Sequence, residues 1–263
     1  MAIITPSVSR NFINNAKLPA VPKLARALAS APPVELKETE AQTLVVGSGL
    51  VVAAQKVPVQ TREDLINCTL FAQLAATGMV RASKTIQEWY EAYFQALTTL
   101  GWAQSDTRFE DYEFASRNAE AHESILKVLA VLLGPAATTL LVVKAAVEAL
   151  QSMKENSPWL TLFDRKSTTG RSARFQVATA QVDESYLLQI ALVGFELNTR
   201  STLTQVLFFK FSTSSTTLRY AAGKATIYEA ALADQRTVIA QRLAAYRAAF
   251  VGQVKFPPLP ATA

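Results

Sequence analysis

Residues 128–143 read VLAVLLGPAATTLLVV, and this stretch decides the fold. It lies between Lys127 and Lys144 and contains no charged residue. Gly134 and Pro135 lie near its middle, and a proline inside a continuous helix would lose a hydrogen bond and clash with the preceding turn. The same proline suits the first turn of a new helix. The sequence therefore predicts an apolar hairpin of two helices that meet at a tight bend.

We expect the two helices of this hairpin at about 117–133 and 136–153. As one straight helix, the 16 uncharged residues would span roughly 24 Å. They are fewer than the ~20 residues that a single membrane crossing needs. Two interpretations remain: the hairpin belongs permanently to a globular core, or it is stored in a soluble fold and released onto a bilayer. The candidates for membrane insertion are Val131, Leu132, Leu133, Gly134, Pro135, Leu140 and Leu141.

Two more helices are predicted before the hairpin. The first spans about 61–80 and begins with the capping-box pattern of Thr61 to Asp64, after which apolar residues recur at helical spacing. The second runs from about Thr85, with Glu88 three residues later, to Gly101, a typical C-terminal stop.

After residue 157 the apolar period changes from helical to strand-like. Short polar connections between the strands favour an antiparallel meander. A closing helix with one apolar stripe follows at about 230–251. We expect the strands at about 173–182, 186–197, 203–213 and 216–228.

These elements predict an α+β fold: a helical N-terminal part with the apolar hairpin, a four-stranded antiparallel β-meander, and a C-terminal helix packed on it. No internal repeat and no long linker is visible, so we expect one domain over 1–263. It would comprise an extended arm with short elements (1–60), a helical part (61–156), and the meander with its closing helix (157–263). Within the arm, Val46-Gly-Ser-Gly49 is typical of a turn between two short strands.

The positive charge lies in the C-terminal part. The chain has a net charge of +5, but residues 1–156 carry 14 Lys and Arg against 15 Asp and Glu, whereas residues 157–263 carry 12 against 6. A basic surface favours an anionic partner such as lipid headgroups. No signature of a common nucleic-acid-binding module is present, so nucleic acid is disfavoured. The candidates for an anionic-surface face are Arg165, Lys166, Arg171, Arg174, Arg236, Arg242 and Arg247.

Most catalytic chemistry is disfavoured by composition. One His, His122, and one Cys, Cys68, cannot form the usual zinc sets, and no Gly-x-Ser-x-Gly elbow or phosphate-binding loop appears. Asp106, Glu110, Asp111 and Glu113 form an acidic cluster that is more typical of an exposed loop than of a catalytic pair. We therefore expect no enzyme, no metal and no cofactor.

Cys68 lies on the apolar stripe of the helix at 61–80. A small polarizable side chain suits such a position, so we expect a buried, inert thiol. The alternative is a lipid-modified cysteine.

The N-terminus lacks a basic start followed by an apolar run, so no secretory signal is visible. This favours a cytoplasmic location or export by a signal-independent route.

No motif names a relative. In layout, a helical part with an apolar hairpin followed by a β-meander is similar to some bacterial pore-forming or virulence proteins, which store membrane-active segments in a soluble fold. That layout implies a non-enzymatic, membrane-active protein of the toxin or virulence type that acts on a membrane or lipid and forms homo-oligomers. The alternatives are a protein-interaction or oligomeric scaffold whose hairpin never leaves the core, and a lipid or small-molecule carrier.

Overall fold

The chain folds around one mixed β-sheet with helices on both of its faces. The computed structural model describes residues 5–21, 34–80, 85–113, 118–135, 137–152, 168–169, 171–200, 210–212 and 216–256. Its helices are α1 (Pro6–Asn15), α2 (Val59–Met79), α3 (Ile86–Thr99), α4 (Ala121–Leu133), α5 (Thr138–Ser152), α6 (Glu229–Ala233) and α7 (Arg236–Phe250). Its strands are β1 (Gln42–Val46), β2 (Gly49–Ala53), β3 (Trp102–Gln104), β4 (Glu110–Asp111), β5 (Asn118–Glu120), β6 (Thr168–Thr169), β7 (Ser172–Val182), β8 (Leu188–Thr199), β9 (Lys210–Ser212), β10 (Thr216–Ile227) and β11 (Val251–Val254).

The long strands β7, β8 and β10 form the centre of the sheet. The strand order is β11-β1-β2-β7-β8-β10-β3, with the short strands β4 and β6 paired to β10 and β7. The pair β2–β7 is parallel and the other pairs are antiparallel. The middle of β7 and of β8 is buried residue after residue, so both faces of these strands must be covered.

Two separate apolar cores lie on the two faces of the sheet. On one face, α1, α2, α3 and α7 pack over alternate strand residues such as Leu44 and Val46. On the other face, α4 and α5 pack over the intervening residues such as Val45. We call the second cluster the hairpin-side core; its strand members include Val52, Phe175, Val177, Val193, Phe195 and Leu218.

The predicted α+β class is confirmed, but the sheet differs from the predicted meander. Three predicted strands, now β7, β8 and β10, are present and pair antiparallel with one another in the order β7-β8-β10. The strand predicted at 203–213 does not lie between β8 and β10, because these two strands pair directly, and residues 203–209 and 213 lie outside the described residues. Of that segment, the described residues 210–212 pair with β5 in a separate two-stranded sheet. The sheet is also larger than four strands, because the segment before residue 60 adds β1 and β2.

The predicted helices of the middle of the chain are confirmed, with shifted ends. The Thr85–Glu88 capping box is present at the start of α3. The capping box predicted at Thr61 is wrong: α2 starts earlier, at Val59, whose backbone N–H is satisfied by the Glu38 carboxylate. The hairpin helix α4 starts at Ala121 rather than at about 117, since 118–120 pair as a strand.

The first and the last parts of the chain differ from the prediction. The arm contains a helix, α1, which starts with Pro6 in its first turn. The closing helix is divided into α6 and α7 and continues directly into β11, which pairs with β1 at the sheet edge. The predicted turn at Val46–Gly49 is confirmed, because it joins β1 and β2.

The hydroxyl of Tyr90 ties α3 to the centre of the sheet. It lies 2.8 Å from the carbonyl oxygens of both Phe175 and Phe195, so its one proton is shared between them. It accepts hydrogen bonds from the Phe195 N–H (3.0 Å) and the Gln176 side chain (3.1 Å). Gly194 makes room for the ring, because a Cβ there would lie 2.7 Å from the Tyr90 Cε1 atom.

We predict that Tyr90→Phe lowers the free energy of unfolding by about 2 kcal/mol, because it leaves buried backbone and amide groups of β7 and β8 without their partner. Tyr93→Phe is the matched control: Tyr93 lies on the same helix, is equally buried, and its hydroxyl has no hydrogen-bond partner among the described residues. Urea denaturation of both variants measures the difference. If Tyr93→Phe lowered the free energy of unfolding by as much as Tyr90→Phe, the decrease could not be attributed to the hydrogen bonds of Tyr90.

Candidate functional site: the apex of the apolar hairpin

The legs of the α4–α5 hairpin are amphipathic. Their apolar sides are buried in the hairpin-side core, through Ile125, Val128 and Leu129 of α4 and Val142 and Val143 of α5, among others. Their opposite sides carry exposed charges: Glu123, Lys127, Lys144 and Glu148. The legs thus lie flat on the sheet with the charged side outward, as expected for a surface helix pair of a soluble fold.

The apex of the hairpin projects apolar side chains away from the core. Val131 is 89% exposed, and Leu141, in the first turn of α5, is 38% exposed. Gly134 ends α4 with a φ of +91°, a left-handed conformation that glycine adopts without steric cost, and Pro135 after it is exposed. Leu132, Leu133 and Leu140 are half-buried and pack against the hairpin-side core.

All seven candidate insertion residues therefore lie at one bend, but they divide into two groups. Three leucines face inward, Val131, Pro135 and Leu141 face solvent, and the half-buried Gly134 forms the bend between them. Ala136, between them, lies outside the described residues. An exposed apolar group at a turn, flanked by charged helix faces, is suited to contact with another apolar phase.

A polar contact joins the apex to the end of the neighbouring strands. The Thr139 hydroxyl donates a hydrogen bond of 2.9 Å to the side-chain oxygen of Gln181, near the end of β7. Gln181 in turn donates to the side chain of Gln189 on β8, its partner across the ladder. The helical apex and the β7–β8 turn thus lie at the same end of the sheet.

Sequence reasoning missed the apolar residues of that β7–β8 turn. Tyr186 is 81% exposed and Leu187 is 64% exposed, and Leu188 beside them is also exposed. The sequence does show three consecutive apolar residues, Tyr186, Leu187 and Leu188, just after the polar residues Asp183 to Ser185. The strand predicted at about 186–197 includes all three. The strand starts at Leu188 instead, which leaves Tyr186 and Leu187 in the turn.

In the described ranges, no helix is both long and apolar enough to cross a membrane. Nor do three or more His, Cys, Asp or Glu side chains of those ranges come together where they could hold a metal ion. Of the acidic cluster, Asp106 is paired with Arg108, whose hydrogen bonds lower the pKa of Asp106 to about 2, and Asp111 is paired with Arg219.

A cavity of about 550 Å³ lies between α3 and the segment before β4. Its lining is mixed: Gln87, Glu91, Gln95 and Arg108 are polar or charged, and Tyr90, Phe94 and Phe109 are aromatic. An acyl chain needs an apolar lining, so this cavity does not favour the lipid-carrier interpretation.

Most described members of the predicted basic face have partners within the protein. Arg165 and Lys166 lie outside the described residues. Arg171 is exposed. The guanidinium of Arg174 is stacked 4.3 Å above the Trp89 ring, where burial lowers its pKa.

The three arginines of α7 are engaged by neighbouring elements. Arg236 pairs with Asp64 of α2 (2.7 Å) and with Glu229 of α6 (2.6 Å), and Asp64 is buried. Arg247 pairs with Glu63 at 3.4 Å. The half-buried Arg242 donates to the carbonyl of Ala16. These side chains hold α7 against α1, α2 and α6, so their charge is largely compensated inside the fold.

We predict that Arg236→Met lowers the free energy of unfolding by about 3 kcal/mol, since it leaves the buried Asp64 carboxylate without its counter-charge. Arg171→Met removes the same side-chain charge from an exposed position and should change stability by less than about 0.5 kcal/mol. Thermal and chemical denaturation measure both. Equal stability of the two variants would mean that Arg236 is available to an external anion after all.

The expectation of a buried Cys68 is confirmed. The residue is 1% exposed and lies in the apolar core between the sheet and α1, α2, α3 and α7. Burial raises the pKa of its thiol to about 12. An acyl chain on this sulfur would have to displace the packed side chains around it.

We predict that Cys68 resists alkylation in the native protein at pH 8. The thiol is buried, and its pKa lies far above 8, so it remains protonated and unreactive. In urea the same reagent should modify it completely within minutes. Intact-mass spectrometry follows the added mass; rapid labelling of the folded protein would contradict the buried assignment.

No protein-family model matches the sequence, and no curated protein is significantly similar to it. Among solved structures, the chain is similar to a protein titled delta-endotoxin, with a TM-score of 0.38 and 14% identity over 80% of this chain and 91% of that one. It is also similar to the Evf virulence factor (TM-score 0.36, 9% identity, 76% and 84% of the two chains). A third similarity is to the activated Cyt2Ba monomer from Bacillus thuringiensis subsp. israelensis (0.30, 11%, 52% and 79%). Similarities at this level do not assign a function.

Proposed function

We propose that this chain is a non-enzymatic, membrane-active protein of the toxin or virulence type, whose α4–α5 hairpin leaves the sheet and enters the surface of a bilayer. The observation that supports this proposal best is the exposed apolar apex. Val131 is almost fully exposed at the tip of a hairpin whose legs are otherwise buried on their apolar sides.

The dimensions of the legs favour an interfacial position. The 13 residues of α4 extend about 20 Å, which is shorter than the apolar thickness of a bilayer. Each leg has an apolar side and a charged side, the pattern of helices that lie in the plane of the interface. The apex would enter first, and the legs would follow with their apolar sides turned towards the acyl chains.

Release of the hairpin would also uncover one face of the sheet. Phe175, Val193 and Phe195 would lose their cover, and an exposed apolar sheet face of that kind favours association with lipid or with further copies. A homo-oligomer on the membrane is therefore part of the proposal.

The second candidate is a protein-interaction or oligomeric scaffold whose hairpin never leaves the core. It is favoured by the complete burial of apolar side chains in both hairpin helices. Leu129, Val142 and Val143 are fully buried, as in a permanent core. The two functions differ in whether the hairpin moves, and a reversible tether between the hairpin and the sheet distinguishes them.

We predict that a tether between a cysteine in the first turn of α5 and Gln181→Cys abolishes dye release from vesicles, because it joins the apex to β7. The first cysteine is best placed at Thr138, as Thr138→Cys, because Thr138 is exposed and a reducible bis-methanethiosulfonate cross-linker can reach it. The next residue, Thr139, places it beside Gln181 through a side-chain hydrogen bond of 2.9 Å. Release from phosphatidylcholine–phosphatidylserine vesicles is measured before and after reduction of the same sample. Reduction should restore it.

The matched control is Gln181→Cys with Gln189→Cys. These positions are partners across the β7–β8 ladder, so the same cross-linker joins two strands and leaves the hairpin free. Cross-linking this pair should leave dye release unchanged. Equal release from the tethered and untethered hairpin would exclude hairpin movement, and no release from any form of the protein would favour the scaffold.

A further inference from the structure

Two turns of different origin meet at one end of the sheet. The hairpin apex and the β7–β8 turn are joined by the Thr139–Gln181 hydrogen bond. Both expose large apolar side chains there: Val131 and Leu141 from the helices, and Tyr186, Leu187 and Leu188 from the strands. We call these five residues the apolar end.

The register of the sheet places further exposed apolar residues at the same end. Ala53 at the end of β2 is the partner of Ala180 in β7, so α2, which follows β2, begins there with the exposed Val59. Ala225 near the end of β10 is the partner of Ile190 in β8, so the exposed Tyr228 follows at this end too.

The β7–β8 turn holds its apolar side chains in a fixed position. One carboxylate oxygen of Asp183 accepts the backbone N–H groups of Ser185 and Leu187, each at 2.9 Å, and the other accepts the Gln189 side chain. Tyr186 has a φ of +61°, a left-handed conformation that is unfavourable for a bulky residue. The turn thus keeps a large aromatic side chain in solvent at a conformational cost, although burial would be more favourable for its ring.

We infer that the apolar end is a docking surface for a lipid bilayer. This inference rests on the proposed membrane function and extends it, because it assigns first contact to a surface that includes the β7–β8 turn and does not require the hairpin to move. The five side chains come from two neighbouring turns and are 38–89% exposed, so they suit a deformable phase that closes around them. Tyrosine, with an apolar ring and a polar tip, favours the level of the lipid headgroups.

The charges around the apolar end are of both signs. Lys56 after β2 and Glu184 in the β7–β8 turn are both exposed. A surface of this kind gains little from lipid charge, so docking should depend on apolar contact. We therefore expect binding to phosphatidylcholine vesicles that changes little between low and high salt.

The test compares Leu187→Gln with Met79→Gln. Met79 is also an exposed apolar residue, but it is the last residue of α2. Because α2 begins with Val59 at the end of the sheet where the apolar end lies, Met79 is distant from that surface. Leu187→Gln should weaken binding to phosphatidylcholine vesicles roughly tenfold, and Met79→Gln should leave it unchanged. A second measurement places an environment-sensitive nitrobenzoxadiazole label at Leu188→Cys or Met79→Cys; on addition of vesicles, the emission of the first label should shift to the blue and that of the second should not.

The tethered Thr138→Cys and Gln181→Cys protein separates this inference from hairpin release. If it still binds vesicles without releasing dye, docking precedes release and both proposals are supported. Unchanged binding by Leu187→Gln, with no shift at position 188, would overturn the docking surface while leaving hairpin release intact. Absence of binding by the unmodified protein, with a concentration-dependent dimer that Leu187→Gln weakens, would overturn docking in favour of contact with a second copy.

Discussion

The structure depends on the double burial of strands β7 and β8. Their central residues are buried on both faces, so a single layer of helices could not protect the sheet from water. Helices from before and after the strands therefore cover one face, and the α4–α5 hairpin covers the other. The apolar segment at 128–143 is needed by the fold for the same reason that it is suited to lipid.

How much of this arrangement could be predicted from the sequence depended on the range of the interactions. Local signals were sufficient for the bend at Gly134-Pro135, the capping box at Thr85 and the turn at Val46–Gly49, since glycine and proline conformations and capping are decided within a few residues. The alternation of β7, β8 and β10 was also local. Pairing of β2 with β7 was not predictable, because a parallel pair between residues about 127 positions apart leaves no pattern in either strand.

The candidate site was predicted in part for the same reason. The apex residues are contiguous in sequence, so their common location follows from one bend. The β7–β8 turn joins them through tertiary contact, and the strand pattern concealed Tyr186 and Leu187. The ion pairs of Arg236 and Arg247 in α7 were not predictable, because their partners Asp64 and Glu63 lie more than 170 residues earlier and leave no local pattern in the sequence.

The two helical layers differ in the kind of contact that holds them, and this difference bears on which layer would leave the sheet in the proposed function. The layer of α1, α2, α3 and α7 is joined to the strands by directed polar contacts: Tyr90 in the β7–β8 ladder, Gln73 on the β1–β2 turn, and the buried Arg62 on the Gln42 side chain and the carbonyl of Ala54. Moving that layer into lipid would leave these groups without partners, at a cost of several kcal/mol.

The hairpin contacts the sheet mainly through aliphatic and aromatic side chains, and the Thr139–Gln181 hydrogen bond lies at its rim. Acyl chains can replace apolar contacts of this kind with little loss of free energy, whereas water cannot. In the proposed function, the hairpin would thus be stable on the sheet in water and would lose less free energy by leaving it at a bilayer, and the exposed Val131 lies where that exchange would begin.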